Sequence, residues 1–187
     1  VIVELSDWPI SAGCPFGRVV KVLNNEIDLN TEISANLELF NIKTLFSQSI
    51  NKELAEFDEE AIYKKNEGRE DFRQIKTFTI DRKDAKDFDD AISIIRDGSC
   101  TELYVHIADV SVFIQENDSI DLSAQKRGNS YYFDEKTTHM IPKFLSTNIC
   151  SLIPNKKRLA FTIKIVLDEN VKIKTYRFIE TVIINQR

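Results

Sequence analysis

Five aspartates, Asp81, Asp84, Asp87, Asp89 and Asp90, fall within ten residues, between two apolar, β-branched runs. Residues 77–80 and 91–95 have the composition of strands, so the acidic stretch is a tight excursion at a sheet edge, with Phe88 and Ala91 as buried anchors. Carboxylates held within a few ångström repel, which raises their pKa values unless a cation compensates. A divalent metal with all-oxygen ligation is the usual solution, and Mg²⁺ prefers a few carboxylates plus water and phosphate oxygens. An EF-hand is excluded by spacing, and the chain has neither a glycine-rich phosphate cradle nor a Gly-x-Ser-x-Gly elbow. The residues alone leave three readings open: metal-assisted phosphoester chemistry, sugar-nucleotide transfer through Asp87-Phe88-Asp89, and an inert acidic loop.

The rest of the chain reads as α+β: a mixed, largely antiparallel sheet with flanking helices. Residues 1–5 and 17–23 are expected strands around a turn-rich stretch at 8–15. Two strands close no core by themselves, so residues 1–24 are expected to be the tail of a small β-domain that begins outside this chain. Residues 31–42 lean towards helix. Ile50, Leu54, Phe57, Ala61 and Ile62 define one apolar face of a single helix over 49–63, ended by the polar stretch 64–68. Strands follow at 77–80, 91–95 and 103–108, with Asp97-Gly98 turning the second into the third. Asp121 is the expected cap of a short helix through Arg127, stopped by Gly128. Residues 159–167 and 171–184 form a last strand pair, and nothing repeats internally.

Apolar residues make up 42% of the 187 and charged residues 29%, with only five Gly and four Pro, which rules out collagenous and low-complexity classes. No apolar run approaches the roughly 20 residues of a membrane helix, so no membrane partner is expected. Nor does a basic-then-apolar leader open the sequence. Three cysteines, Cys14, Cys100 and Cys150, with two distant histidines argue against structural zinc and for thiols in a reducing cytoplasm. The net charge of −5 divides unevenly: residues 1–124 carry 13 basic against 25 acidic groups, residues 125–187 carry 12 against 5. Lys126, Arg127, Lys136, Lys143, Lys156, Lys157 and Arg158 suit one wall of a polyanion path, or simply a solvated surface.

The motif Thr79-Ile-Asp-(five residues)-Asp-Phe-Asp-Asp-Ala-Ile92 resembles the active-site motif of the ribonuclease II family (RNB domain), and in particular its bacterial ribonuclease R branch. Val105-His-Ile-Ala-Asp-Val-Ser111, Gly128-Asn-Ser-Tyr-Tyr-Phe133, His139-Met-Ile-Pro142 and Leu145-Ser-(three residues)-Cys-Ser-Leu152 resemble later family segments in the same order. The resemblance divides the chain into 1–24, the last strands of a cold-shock (OB-type) barrel; 25–76, a helical connection; and 77–187, the first part of the catalytic domain.

This resemblance implies a cytoplasmic exoribonuclease that degrades single-stranded RNA processively from its 3′ end to nucleoside 5′-monophosphates, with Mg²⁺ and no organic cofactor. Asp81, Asp87, Asp89 and Asp90 become the metal-holding quartet. Asp81 and Asp90 are the direct ligands, and Asp89, supported by Asp87, is the carboxylate most needed for chemistry. Tyr132, rather than its neighbour Tyr131, matches an aromatic that packs near the 3′-terminal nucleotide. Asp84 is read as solvated, His106 as a packed core histidine, His139 as structural or peripheral, and Asp109 as support behind the site. The family's domain also runs well past the matched region, with a downstream arginine and a trailing RNA-binding domain, neither of which occurs before Arg187. The chain is therefore expected to be a fragment with little turnover alone. The alternative within the same fold is a catalytically silent RNA-binding member.

Overall fold

A computed structural model describes residues 1–9, 11, 13–23, 28–133 and 136–186. In chain order the elements are β1 (Ile2–Asp7), β2 (Phe16–Lys21), α1 (Leu29–Leu39), α2 (Gln48–Ala55) and α3 (Glu59–Lys65). Next come β3 (Glu70–Asp71), β4 (Thr77–Phe78), β5 (Asp90–Asp97), β6 (Cys100–Ala108) and α4 (Ser119–Arg127). β7 (Tyr131–Tyr132) and β8 (Thr137–Thr138) precede a π-helical turn, Leu145–Ile149, and the long hairpin of β9 (Lys157–Leu167) and β10 (Ile173–Ile184) closes the chain. The fold is α+β with a largely antiparallel sheet, as the sequence pattern implies, and no barrel closes among the described residues.

Two compact units result. The first contains residues 1–46 and 131–138: the antiparallel ribbon of β1 and β2, helix α1, and the small ribbon of β7 and β8. Asp28 caps α1 by accepting a hydrogen bond from the Thr31 amide at 2.7 Å. The expected boundary between 24 and 25 lies outside the described residues.

The second unit, 47–130 with 139–187, is built on a six-stranded sheet of order β3-β10-β9-β6-β5-β4, antiparallel except for the β3–β10 pair. One helix was expected over 49–63; the structure has two. Asp58 accepts a hydrogen bond from the Ala61 amide at 3.0 Å and starts α3 afresh, with Glu59 and Glu60 in its first turn. Apolar spacing does not register such a cap, because the face continues across the break. Likewise α4 is capped by Asp118, not Asp121: the Asp118 carboxylate accepts from the Asp121 amide at 2.6 Å. Gly128 ends that helix at φ +77°, a conformation that costs other residues a Cβ clash.

The sheet buries one face. Ala91, Tyr104, Ala108, Ala160, Ile179 and Ile183 pack there with Phe72 and Leu152, and Phe88 and Ile75 lean against them. The same face carries a continuous polar ladder, one side chain per strand from β4 to β10, each fully buried. Thr77 Oγ1 meets Ser93 Oγ at 2.8 Å, and Ser93 Oγ meets His106 Nε2 at 2.9 Å. His106 Nδ1 meets Thr162 Oγ1 at 2.8 Å, and Thr162 Oγ1 meets Thr181 Oγ1 at 2.6 Å. Thr77 and Thr181 donate onward to the carbonyls of Ile75 and Ala160. His106 is thus the packed core histidine expected, and burial pushes its pKa down to about 4. The opposite face is apolar but open: Ile94, Ile107, Phe161, Tyr176 and Phe178 are exposed, with Phe161 and Phe178 stacked at 5.9 Å.

Candidate active site

The acidic loop joins β4 to β5 at the end of the sheet where β6 finishes and β9 begins. Its return leg is tied down from two sides. The Ala108 amide donates to the Asp89 carbonyl at 2.9 Å, which runs directly into the Asp90–Ile107 pairing of β5 with β6. On the other side the Leu152 amide donates to the Phe88 carbonyl at 2.8 Å, and the Phe88 amide donates to Ser151 Oγ at 2.9 Å. Phe88 packs on the core between Asp87 and Asp89. A core residue flanked by carboxylates keeps charged groups at the rim of the fold without burying them.

Asp87, Asp90 and Asp81 all lie within electrostatic reach of Asp89. Asp89 titrates above the ordinary carboxylate range, first because protein crowds out its water, then because of the charges of Asp87, Asp90 and Asp81. Desolvation leads even though Asp89 offers surface to solvent. Asp84 stays out of this group: it is exposed, with Arg82 Nη2 3.4 Å from its carboxylate. Among the described residues no three acidic, histidine or cysteine side chains close into a metal-sized cage. The donor set still fits a hard divalent cation, since it is oxygen-only and both desolvation and the neighbouring carboxylates raise the pKa of Asp89.

The remaining expected residues fall in distinct places. Tyr132 belongs to the first unit, where its ring is 63% exposed on β7 while Tyr131 is half-buried. His139 is half-buried with Nδ1 3.2 Å from Ser146 Oγ; burial lowers its pKa, while Asp87 pulls it up and Lys143 pushes it down. Asp109 is buried, and Arg69 Nη2 donates to its Oδ2 at 2.6 Å while Ser111 Oγ donates to its Oδ1 at 2.6 Å. Arg69 also reaches the Ala160 carbonyl and Asn66 Oδ1, fastening the end of α3 to β9.

Arg158 departs from the polyanion wall expected of it. It is 5% exposed, and its guanidinium donates to the carbonyls of Ser151 and Lys157 and to Asn148 Oδ1. A guanidinium so occupied is a structural clamp, whereas Lys126, Lys143, Lys156 and Lys157 remain exposed. Sequence reasoning missed Ser151 and Arg69 as contributors. Ser151 lies in the 145–152 segment, but nothing local marks the bond it makes, nor that of Arg69, because their partners lie 63 and 40 residues away.

The RNB domain family model matches residues 69–187. The Ribonuclease R of Aquifex aeolicus is 37% identical over 184 residues, covering 98% of this chain and 26% of the relative. The structure of Mycoplasma genitalium RNase R in complex with ribose methylated single-stranded RNA superposes with a TM-score of 0.85 at 27% identity, over 98% of this chain and 29% of that one. Yeast Ssd1, a pseudonuclease, shares the fold at a TM-score of 0.73 and 23% identity, over 99% of this chain and 24% of that one. The chain spans about a quarter of the length of the curated relative. With the ordered motifs, the acidic loop at the sheet end and this match in view, the chain belongs to the RNB-domain family.

Proposed function

We propose that this chain supplies the acidic part of the active site of a 3′→5′ exoribonuclease that hydrolyses single-stranded RNA processively to nucleoside 5′-monophosphates in the cytoplasm. The observation that carries the reading is the charge-crowded Asp89, flanked by Asp81, Asp87 and Asp90 at the rim of an RNB-family sheet. Asp81 and Asp90 would hold Mg²⁺ with Asp87 and Asp89 beside them, and the metal would supply Lewis acidity there. Tyr132 offers an exposed ring to a terminal base, a contact worth about 1–3 kcal/mol per base and indifferent to sequence. The exposed lysines add backbone affinity without readout. The RNA-bound relative supports this choice of partner. The cytoplasmic setting draws on three unpaired cysteines, Cys14, Cys100 and Cys150, whose thiols a reducing compartment preserves.

A silent, RNA-holding role is the competing reading, since a pseudonuclease has the same fold. Retention of all four carboxylates speaks against it: a binding protein gains nothing from a cluster that repels both itself and phosphate. The test uses a 5′-labelled single-stranded oligoribonucleotide, Mg²⁺ and the protein carrying this chain. Shortening from the 3′ end is expected, and Asp89→Asn is expected to slow it by more than about 100-fold while gel-shift binding persists. An unchanged rate in that variant removes Asp89 from its role; an inert parent that binds RNA establishes the silent reading.

A further inference from the structure

We propose that Ser151 is a positioning residue for the acidic loop, its hydroxyl bracketing Asp87 from both sides. The inference rests on the metal-holding reading of that loop. Ser151 is fully buried, yet its side chain serves neither the core nor its own segment. Its Oγ accepts from the Phe88 amide at 2.9 Å and donates to the Lys86 carbonyl at 3.3 Å. One hydroxyl therefore holds the backbone on either side of Asp87, and the next residue, Leu152, takes the Phe88 carbonyl at 2.8 Å. Together they act as a short surrogate strand for a segment that has no ladder partner of its own.

The hydroxyl is itself held in place. Ser151 follows the π-helical turn Leu145–Ile149, closed where the Cys150 amide reaches the Leu145 carbonyl at 2.8 Å. Such widened turns place residues where a regular helix would not. The Arg158 guanidinium takes the Ser151 carbonyl at 2.9 Å and Asn148 Oδ1 at 3.2 Å, locking the turn from behind. The Ser151 amide donates to the Asn148 carbonyl at 3.2 Å, so both backbone groups of Ser151 are engaged and its hydroxyl is free for the loop. Ligands to a hard cation need placement within about half an ångström, and removal of a supporting hydrogen bond typically weakens metal binding 10- to 100-fold. Ser151 acts through the loop backbone and touches nothing that reacts.

The experiment compares the chain with Ser151→Ala and with Ile179→Val, a conservative core truncation on β10, three strands across the sheet from β5, that serves as a stability control. Two readouts are followed: hydrogen exchange at the Phe88 amide, and Mn²⁺ affinity by electron paramagnetic resonance. Ser151→Ala is expected to speed Phe88 exchange at least about tenfold and to weaken Mn²⁺ binding about 10- to 100-fold, with Ile179→Val changing neither. Phe88 exchange and Mn²⁺ affinity both unchanged in Ser151→Ala overturn the proposal, as does an equal loss of affinity in Ile179→Val. If the parent chain binds no Mn²⁺ while Ser151→Ala still frees the Phe88 amide, the metal reading fails and the hold of Ser151 on the loop stands.

Discussion

Five side chains cross the buried face of the sheet from Thr77 to Thr181, and four carboxylates crowd its end around Asp89. The ladder is polar but settled: each member hydrogen-bonds to its neighbour, and its one titratable group, His106, is kept neutral. The loop is the reverse: lost hydration first, and then the charges of Asp87, Asp90 and Asp81, raise the pKa of Asp89 at the protein's rim. Buried polar groups that satisfy one another specify strand order and register. Like charges held together are relieved only by a counter-charge or by protonation. The contrast separates structure from function within a single sheet more clearly than burial or charge alone.

The largest expected effect tests the settled side. Arg69→Met strands the buried Asp109 carboxylate and should destabilise the chain by about 3–5 kcal/mol in urea unfolding, with Arg69→Met/Asp109→Leu recovering most of the loss. A small effect of the single variant would mean that the Ser111 hydroxyl suffices to hold the Asp109 carboxylate. Next comes acid. His106 has a folded pKa of about 4 against 6.5 in the unfolded chain, so the unfolded state binds the extra proton between these values. Its contribution is complete above pH about 6.5 and is lost by about 3 kcal/mol as pH falls towards 4. Urea melts of the parent and His106→Asn across that range isolate the slope, which the variant should lack. The smallest effect sharpens the frustrated side. Because folding raises the Asp89 pKa, its ionised form is disfavoured in the native state at neutral pH, and Asp89→Asn should slightly raise the thermal midpoint of the metal-free chain. Mg²⁺ at a hundredfold excess over its Kd should stabilise the parent by about 2.7 kcal/mol and the variant far less. Asp84→Asn, outside the cluster, should behave as the parent in both.

Much of this arrangement was legible in the residues. β-branched and apolar runs at 91–95, 103–108, 159–167 and 171–184 mark the long strands, because both faces of this sheet carry apolar side chains. The acid loop was legible because charge density between strands has few explanations. Helix breaks were less so: the apolar face from Ile50 to Ile62 runs on through Asp58, and only the cap reveals two helices. The choice of Asp118 over Asp121 turns on one backbone amide. Arg158 has the sequence look of a surface charge but meets three acceptors, and Ser151, although inside the 145–152 segment, carries no local mark of the bond it makes. Periodicity records burial along an element; it carries no trace of which distant carbonyl a guanidinium or hydroxyl will find.

The open face of the sheet has a practical consequence. Ile94, Ile107, Phe161, Tyr176 and Phe178 present a continuous oily surface on a fully folded sheet. Dyes that fluoresce on apolar surface will light up with the native chain, a response ordinarily taken to mean loosened packing. Sharp near-ultraviolet dichroism from Tyr104, locked edge-on against Phe72 in the core, distinguishes the two states and should accompany any such assay.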